Sequence, residues 1–351
     1  METPPAAAHD TRACREAGLR WGSDDAPGIR RVKRGQGFAY RLADGRWLRD
    51  AATLARIRGL AIPPAYRDVW INPQANGHLQ ATGRDARGRK QYRYHPEWHT
   101  VRDGHKFERL ADFGRALPAI RRRVVRDLAH ASGGGAPHPT TVVAALVRLL
   151  DQTGMRIGNE AYARENGSYG LSTLRDRHAS IRAGRLRLRF RGKSGVPRDV
   201  TLDDARLARI VQRCQALPGQ VLFQCVDAAG TPRPVGSDEV NAYLREAGGG
   251  DFTAKDFRTW HATVLAWSLV CESRAARRRL RAAELLREVA ARLGNTPAVC
   301  RKSYVHPGVL ACCERAAEAG SLAGDAAPAG PRGLLAAERR LLAWLKQPGR
   351  S

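Results

Sequence analysis

Apolar and basic residues alternate along residues 185–191 with the two-residue period of a half-buried β-strand. Three apolar side chains would line one face of this strand, and four arginines would line the other. The sequence Gly192-Lys193-Ser194-Gly195 then predicts a turn, and residues 196–202 predict a returning strand. Lys193 is therefore expected at the tip of a β-hairpin, where glycines on both sides let the backbone bend sharply and approach another surface.

The first hundred residues show shorter alternating segments separated by turn residues. Within residues 29–48 the pair Asp44-Gly45 lies between two apolar runs, which predicts a hairpin. The elements predicted next are a short helix at 51–59 and strands at 68–72 and 77–82. We predict a β-rich domain at 28–102, preceded by a loose, disordered tail at 1–27 that is rich in alanine, proline and charge.

A basic, glycine-punctuated segment with interleaved aromatic residues ends this β-rich part. Gln91, Tyr92 and Tyr94 lie in it, among several lysines and arginines. Cations can contact phosphates, and tyrosines can offer hydroxyl groups or flat faces to nucleotides. An exposed, solvated loop is the structural alternative.

From about residue 105 the apolar positions recur at helical spacing. The predicted helices span 107–131, 140–153, 204–216, 237–247, 253–271 and 273–292. We therefore predict an α+β protein whose larger, mainly helical domain covers 103–317. Residues 318–351 predict a flexible linker and a short helix, whose leucine and tryptophan stripe either packs back on the body or binds a partner.

Composition narrows the class of partner. The 351 residues carry a formal net charge of +26 and a pI near 11.0. A positive surplus of this size favours a polyanionic partner, with nucleic acid first and acidic membrane surfaces second. Seven irregularly spaced cysteines without a CxxC pair support neither a disulfide framework nor a zinc site, and they fit a reduced cytoplasmic compartment. No apolar run approaches the roughly 18 residues that span a bilayer.

The stretch Leu293–Pro307 places Tyr304 directly after a run of cations and just before a helix-breaking proline. A phenol, with a pKa of about 10, is a poor nucleophile unless cations stabilise the phenolate. Arg156, Lys193 and Arg258 each lie in a setting that fits the handling of a phosphodiester. Taken alone, these residues also have ordinary structural explanations. Tyr304 could be a half-buried tyrosine, Arg156 an ion-pair partner and Lys193 a solvated turn lysine.

Lys255 and Arg258 lie at i and i+3 of the helix that Thr253 caps. Two cations are therefore expected to project together near a helix N-terminus, which itself attracts anions. His261 and His306 lie near the same stretch, where either could be structural. The sequence has no GxxxxGK[ST] loop, and neither paired carboxylates nor an HExxH motif stands out.

With these residues assembled, the sequence resembles the type IB DNA topoisomerases, in particular the compact poxvirus-like form found in bacteria. The resemblance runs from about Ile29 to Pro307. It rests on five segments in the family's order, which are GRKQYRYH, RIGNEAY, the GKSG hairpin, KDFRTW and LGNTPAVCRKSYV.

The resemblance implies a nicking-closing reaction on double-stranded DNA that needs neither ATP nor an essential metal. Tyr304 would form a 3′-phosphotyrosyl link, Arg156 and Arg258 would hold the non-bridging oxygens, and Lys193 would protonate the leaving 5′-oxygen. The positions that would contact DNA are Gln91, Tyr92, Tyr94, Tyr162 and Lys255. The resemblance also implies a helical catalytic domain with a three-stranded sheet, a C-shaped clamp around the duplex, and a cytoplasmic, nucleoid-associated monomer.

One position departs from the viral pattern. Nine residues before the tyrosine, where the viral enzymes carry histidine, this chain has Asn295. An amide can donate a hydrogen bond to a phosphate oxygen but cannot carry a positive charge. We predict that Asn295 is nevertheless a catalytic ligand of the phosphate.

Two other functions stay open at this point. A tyrosine recombinase would share the arginine, lysine and tyrosine chemistry, although recombinases usually carry histidine at the position of Lys255. A non-catalytic basic DNA-binding protein would explain the charge but not the five segments. Tyr169 is the competing nucleophile, and its sequence surroundings lack the cluster of cations.

Overall fold

The computed structural model describes residues 11, 14–86, 88–129, 135–158, 160, 163–164, 167–227, 229–315 and 330–347. The chain divides into two compact units, Met1–Lys106 and Phe107–Ser351. The predicted α+β composition is confirmed, and the division falls four residues after the predicted boundary at 102.

The first unit is built on a five-stranded antiparallel sheet with the strand order β2-β1-β3-β4-β5. Its elements are β1 (Ile29–Arg34), β2 (Gly37–Arg41), α1 (Ala51–Gly59), β3 (Arg67–Ile71), β4 (Leu79–Arg84) and β5 (Lys90–Tyr94). The first hairpin turns at Gly35, which has a φ of 57°, and not at Asp44-Gly45. The Asp44-Gly45 pair forms a second turn, after which Trp47 bridges back to Arg41. The predicted turn at Asp44-Gly45 is therefore confirmed, and the hairpin at Gly35 is an additional one that was not predicted.

Part of the predicted N-terminal tail is packed against this sheet. Cys14 and Leu19 are buried in a small cluster with Trp98. The ring of Trp21 stacks on that of His78 with centroids 3.9 Å apart and planes 8° from parallel. The prediction of a loose tail is therefore wrong for residues 14–27, because their few apolar side chains have a surface to cover. Residues 1–10 and 12–13 of that prediction lie outside the described residues.

The second unit is mainly helical and contains one large apolar core. Its helices are α2 (Pro96–Ala129), in which the boundary between the units falls, α3 (Pro139–Thr153), α4 (Ala205–Gln215), α5 (Ser237–Gly248), α6 (Ala254–Ala275), α7 (Ala282–Leu293), α8 (Pro297–Ser303), α9 (Pro307–Arg315) and α10 (Ala336–Leu345). Almost every side chain of α3 between Thr141 and Leu150 is buried, so this helix forms the centre of the unit. Among the described helices, none combines the length and the apolar character needed to cross a membrane.

The predicted Lys193 hairpin is confirmed. The strands β6 (Ala179–Arg182), β7 (Arg185–Arg191) and β8 (Pro197–Leu202) form a three-stranded antiparallel sheet, and a two-stranded ribbon consists of β9 (Gln224–Val226) and β10 (Pro232–Pro234). Along β7 exposed arginines alternate with buried apolar residues, as the period of two predicts. Lys193 begins a tight turn in which Ser194 has a φ of 62° and Gly195 a φ of 75°.

The C-terminal helix α10 packs back on the body of the second unit. Of the two alternatives for its leucine and tryptophan stripe, packing on the body and binding a partner, the structure shows the first. Its Glu338 is only 3% exposed and accepts hydrogen bonds from Arg121 at 2.7 and 2.8 Å and from Trp260 Nε1 at 3.1 Å. The same Arg121 donates two 2.8 Å hydrogen bonds to Asp151. This buried carboxylate therefore joins α10 to α2, α3 and α6.

We expect Glu338→Ala to destabilise the second unit strongly, because it leaves the half-buried Arg121 with one carboxylate and the buried Trp260 without an acceptor. Breaking a buried ion pair costs about 3–5 kcal/mol, which corresponds to a fall of about 6–20 °C in the melting temperature of a unit of this size. Thermal unfolding followed by circular dichroism measures the shift. The control is Glu288→Ala, because Glu288 is an exposed carboxylate on α7. Equal shifts for the two variants would contradict the account of α10.

Candidate active site

Tyr304 lies where α8 ends, in the core of the second unit. Thr296 caps the start of α8 by accepting a hydrogen bond from Val299 N, and Tyr304 N closes the helix on the carbonyl of Cys300 at 3.0 Å. The tyrosine carbonyl accepts a hydrogen bond from Thr263 Oγ1 at 3.0 Å. The residue is 5% exposed, so both its backbone and its ring are fixed.

The guanidinium of Arg156 links the phenol oxygen of Tyr304 to the side chain of Asn295. Arg156 Nη1 donates to Tyr304 Oη at 3.1 Å, and Arg156 Nη2 donates to Asn295 Oδ1 at 2.8 Å. One guanidinium thus contacts two residues that the sequence singled out separately.

The backbone at Arg156 is held in place by a neighbouring segment. The left-handed residue Gly154 ends α3, and Arg156 O then accepts from Leu171 N at 2.9 Å. Gly170 packs against Gly158 so closely that a Cβ on Gly170 would lie 2.5 Å from Gly158 Cα. This contact requires glycine, and it fixes the direction in which the Arg156 side chain leaves the backbone.

Arg258 lies below the tyrosine ring, with Cζ 5.1 Å from the ring centroid, and is 2% exposed. Its guanidinium donates to the carbonyl of Gly154 and, at 3.1 Å, to the carbonyl of Leu293. Burial, together with the nearby charge of Arg156, lowers the pKa of Arg258 to about 10. No described carboxylate pairs with Arg156 or Arg258, so their charge is directed at the phenol.

These charges act on the phenol of Tyr304. Burial alone would raise the pKa of Tyr304, but the nearby guanidinium groups of Arg258 and Arg156 outweigh burial and bring the pKa below its usual value. The site therefore favours the phenolate, which is the nucleophilic form.

Two buried donors around the tyrosine have no acceptor among the described residues. They are Asn295 Nδ2 and Arg258 Nε. The thiol of Cys300 interacts with the asparagine side chain, but sulfur is only a weak hydrogen-bond acceptor. Leaving a buried donor unsatisfied costs about 1–3 kcal/mol, so such donors indicate a place for an oxygen-bearing ligand.

An open pocket leads to this site. Its volume is about 320 Å³ including the space open to solvent, and Arg156, Lys193, Arg198 and Gly294 are among the residues that line it. The structure therefore brings Lys193 and Arg156 to one pocket. Sequence reasoning missed Arg198, although an arginine at an inward-facing position of a strand was a usable signal.

Tyr169 lines the same pocket, so the fold brings it near cations that its sequence surroundings lack. Its ring packs edge-on against His178 with centroids 4.5 Å apart. The segment carrying Tyr169 pairs with the end of β7 through Tyr169 N and Arg191 O, a long-range contact that is not evident in the sequence.

Lys255 and Arg258 do not project together as predicted. Lys255 is exposed, whereas Arg258 is turned into the core. The N-terminus of α6 is also occupied, because the carboxylate of Asp256 accepts hydrogen bonds from Thr253 N at 2.7 Å and Thr253 Oγ1 at 2.9 Å. The partial positive charge at the N-terminus of α6 is thus already paired with a carboxylate of the same helix.

The predicted DNA contacts of the first unit lie on β5. Tyr92 is exposed and stacks on the half-buried Tyr94, with ring planes 9° from parallel and centroids 6.0 Å apart. Gln91 donates to Asp85 at 3.0 Å. Tyr162, the remaining predicted contact, lies outside the described residues.

His306 has a structural environment. It is buried against Phe107 and Trp344, and burial lowers its pKa to about 4. His261 lies beside Gly154, and burial also lowers its pKa. Among the described residues, no three histidine, cysteine, aspartate or glutamate side chains are grouped so as to hold a metal ion.

Comparison with known proteins places this site in a family. Residues 95–319 match the family described as eukaryotic DNA topoisomerase I, catalytic core, and residues 37–85 match the bacterial DNA topoisomerase IB N-terminal domain. The chain is 34% identical to DNA topoisomerase 1B of Acanthamoeba polyphaga mimivirus over 289 residues, which cover 79% of this chain and 85% of the relative. The chain belongs to the type IB DNA topoisomerases, which are isomerases. This membership favours a topoisomerase over a recombinase or a non-catalytic DNA-binding protein.

Proposed function

We propose that this enzyme relaxes supercoiled DNA by cleaving one strand transiently, with Tyr304 as the nucleophile. The observation that carries the proposal is the buried phenol oxygen, which accepts a hydrogen bond from Arg156 beside a second guanidinium, that of Arg258. Packing a buried tyrosine does not require a cation beside its oxygen. A nucleophilic tyrosine does, because the two guanidinium groups stabilise its phenolate.

The reaction consists of two mirror-image transfers. Tyr304 Oη forms a bond to the backbone phosphorus, and the bond from phosphorus to the 5′-oxygen breaks. The phenol proton leaves to solvent, and Lys193 donates a proton to the departing 5′-oxygen. After the free end rotates, the 5′-hydroxyl attacks the phosphotyrosine, the bond from phosphorus to Tyr304 breaks, and the strand is restored.

Charge stabilisation supplies most of the catalysis in this scheme. The two non-bridging oxygens gain negative charge as the phosphorus becomes pentacoordinate. Arg156 and Arg258 lie beside the attacking oxygen, and the unsatisfied Asn295 Nδ2 and Arg258 Nε provide further donors. Donors that are fixed before the reaction stabilise such charge without reorganisation.

Duplex DNA is the proposed partner of both units. In the first unit, Tyr92 offers an exposed ring next to Lys90, whose Nζ lies 5.6 Å from the ring centroid. In the second unit, Lys255 is exposed one helical turn before Arg258. With a net charge of +26, binding should weaken steeply as salt increases.

Relaxation of negatively supercoiled plasmid, with EDTA present and ATP absent, tests the proposal. We expect the native protein to relax the plasmid and Tyr304→Phe to be inactive, because phenylalanine lacks the attacking oxygen. Tyr169→Phe is the control and should relax the plasmid. Activity of Tyr304→Phe, or inactivity of the native protein, would overturn the proposal.

We expect Asn295→Ala to slow single-turnover cleavage by about 100-fold, the usual loss for one donor to an oxyanion, and to change DNA affinity much less. The amide stabilises charge that develops in the transition state, so the rate constant is the sensitive quantity. Asn295→His, which restores the viral residue, should cleave at least as fast as the native protein. Equal losses in rate and affinity for Asn295→Ala, or no loss in either, would remove Asn295 from the site.

A further inference from the structure

Arg198 occupies a position where the pattern of its strand calls for an apolar residue. The inward-facing residues of β8 are Arg198, Val200 and Leu202, and the last two pack against the core. Arg198 is paired across the sheet with Phe190, which is also buried. Its guanidinium is therefore on the inner side of the Lys193 hairpin.

The guanidinium of Arg198 is fastened to the end of α7. It donates to the carbonyl of Leu293, which also accepts the 3.1 Å hydrogen bond from Arg258 Nη2. Gly294 has a φ of 61°, and a Cβ at this residue would lie 2.4 Å from Arg198 Cζ. The backbone conformation at residue 294 favours glycine, and any side chain there would displace the guanidinium of Arg198.

This contact joins two parts of the active site. The hairpin carries Lys193 five residues before Arg198, and the α7–α8 junction carries Asn295 two residues after Leu293. Arg198, Lys193, Arg156 and Gly294 line the same pocket.

The electrostatic environment of Arg198 indicates that this residue does not stabilise the folded protein. No described carboxylate pairs with it, and burial together with the charge of Arg156 lowers its pKa. A partly buried cation beside two others is unfavourable unless the position serves the reaction.

We propose that Arg198 is a positioning residue that holds the Lys193 hairpin over Tyr304, so that Lys193 reaches the leaving 5′-oxygen. The inference rests on the function proposed above. Without this contact, the exposed turn at Lys193 would keep its charge but lose its fixed distance to the scissile bond. The attack by Tyr304 would be unaffected, and protonation of the leaving group would be slowed.

The test uses two cleavage substrates that differ in one atom. In the ordinary duplex, the 5′-oxygen must receive a proton as its bond to phosphorus breaks. In a duplex with a 5′-bridging sulfur, the thiolate leaves without a proton because thiols are much stronger acids than alcohols. A defect in leaving-group protonation should therefore disappear with sulfur, and a defect in oxyanion stabilisation should persist.

We expect Arg198→Met to cleave the oxygen substrate about 10- to 100-fold more slowly than the native protein, part of the roughly 10²–10⁴-fold that general acid catalysis supplies. It should cleave the sulfur substrate within about twofold of the native rate. Lys193→Ala should show the same pattern more strongly. Arg189→Met, which removes an exposed arginine from the outer face of β7, is the matched control and should cleave both substrates at native rates.

Three results would overturn the inference. They are an equal slowing of both substrates by Arg198→Met, no slowing of either, and a Lys193→Ala defect that sulfur does not rescue. Arg198→Lys keeps the positive charge but loses the planar set of donors that arginine offers, so this variant should also cleave the oxygen substrate slowly. A native rate for Arg198→Lys would mean that charge alone suffices, which would contradict a positioning role for the guanidinium. Failure of the proposed function is separately visible, because the native protein would then cleave neither substrate or Tyr304→Phe would cleave one of them.

Discussion

The site depends on keeping the guanidinium groups of Arg156 and Arg258 inside the second unit, where no described carboxylate neutralises them. Arg156 and Arg258 converge on one phenol, and Arg198 adds a third charge at the rim. Burying unpaired charges is costly, and the cost is offset here by backbone carbonyls and by the partial negative charge of the phenol oxygen. These charges suit the proposed phosphate ligand, because they are fixed in place before the anion arrives.

The scaffold supplies these carbonyls from the ends of two helices. Gly154 O follows the last turn of α3 and Leu293 O lies at the last turn of α7, where carbonyls lack partners within the helix. Helix C-termini carry partial negative charge, so they suit buried cations. The buried carboxylate of Glu338 ties α10 to α2, α3 and α6, and thereby braces the two helices that precede or carry Arg156 and Arg258.

Much of this arrangement could be predicted from local sequence. The alternation along β7 predicts the strand, its buried face and the tip at Lys193, because a period of two leaves little freedom. The helix before Tyr304 ends ahead of Pro307, as the helix-breaking proline predicts. Other features depend on long-range contacts. The segment at 14–27 belongs to a stretch rich in alanine, proline and charge, yet it packs on the sheet. Tyr169 reaches the pocket through pairing with β7, and Arg258 is turned inward and not outward with Lys255. Arg198 interrupts the alternation of apolar and polar residues in β8, which marks it as unusual in the sequence. Its hydrogen-bond acceptor, the carbonyl of Leu293, could not be predicted because it lies 95 residues away along the chain.

The central claim is that Tyr304 is the residue that becomes joined to DNA. The most direct measurement captures the covalent complex on a duplex whose released 5′-strand is too short to stay paired, digests the protein, and identifies the nucleotide-bearing peptide by mass spectrometry. The account predicts a single modified residue, Tyr304, linked to a 3′-phosphate. A nucleotide on Tyr169, whose ring lines the same pocket, or a link to a 5′-phosphate, would contradict it.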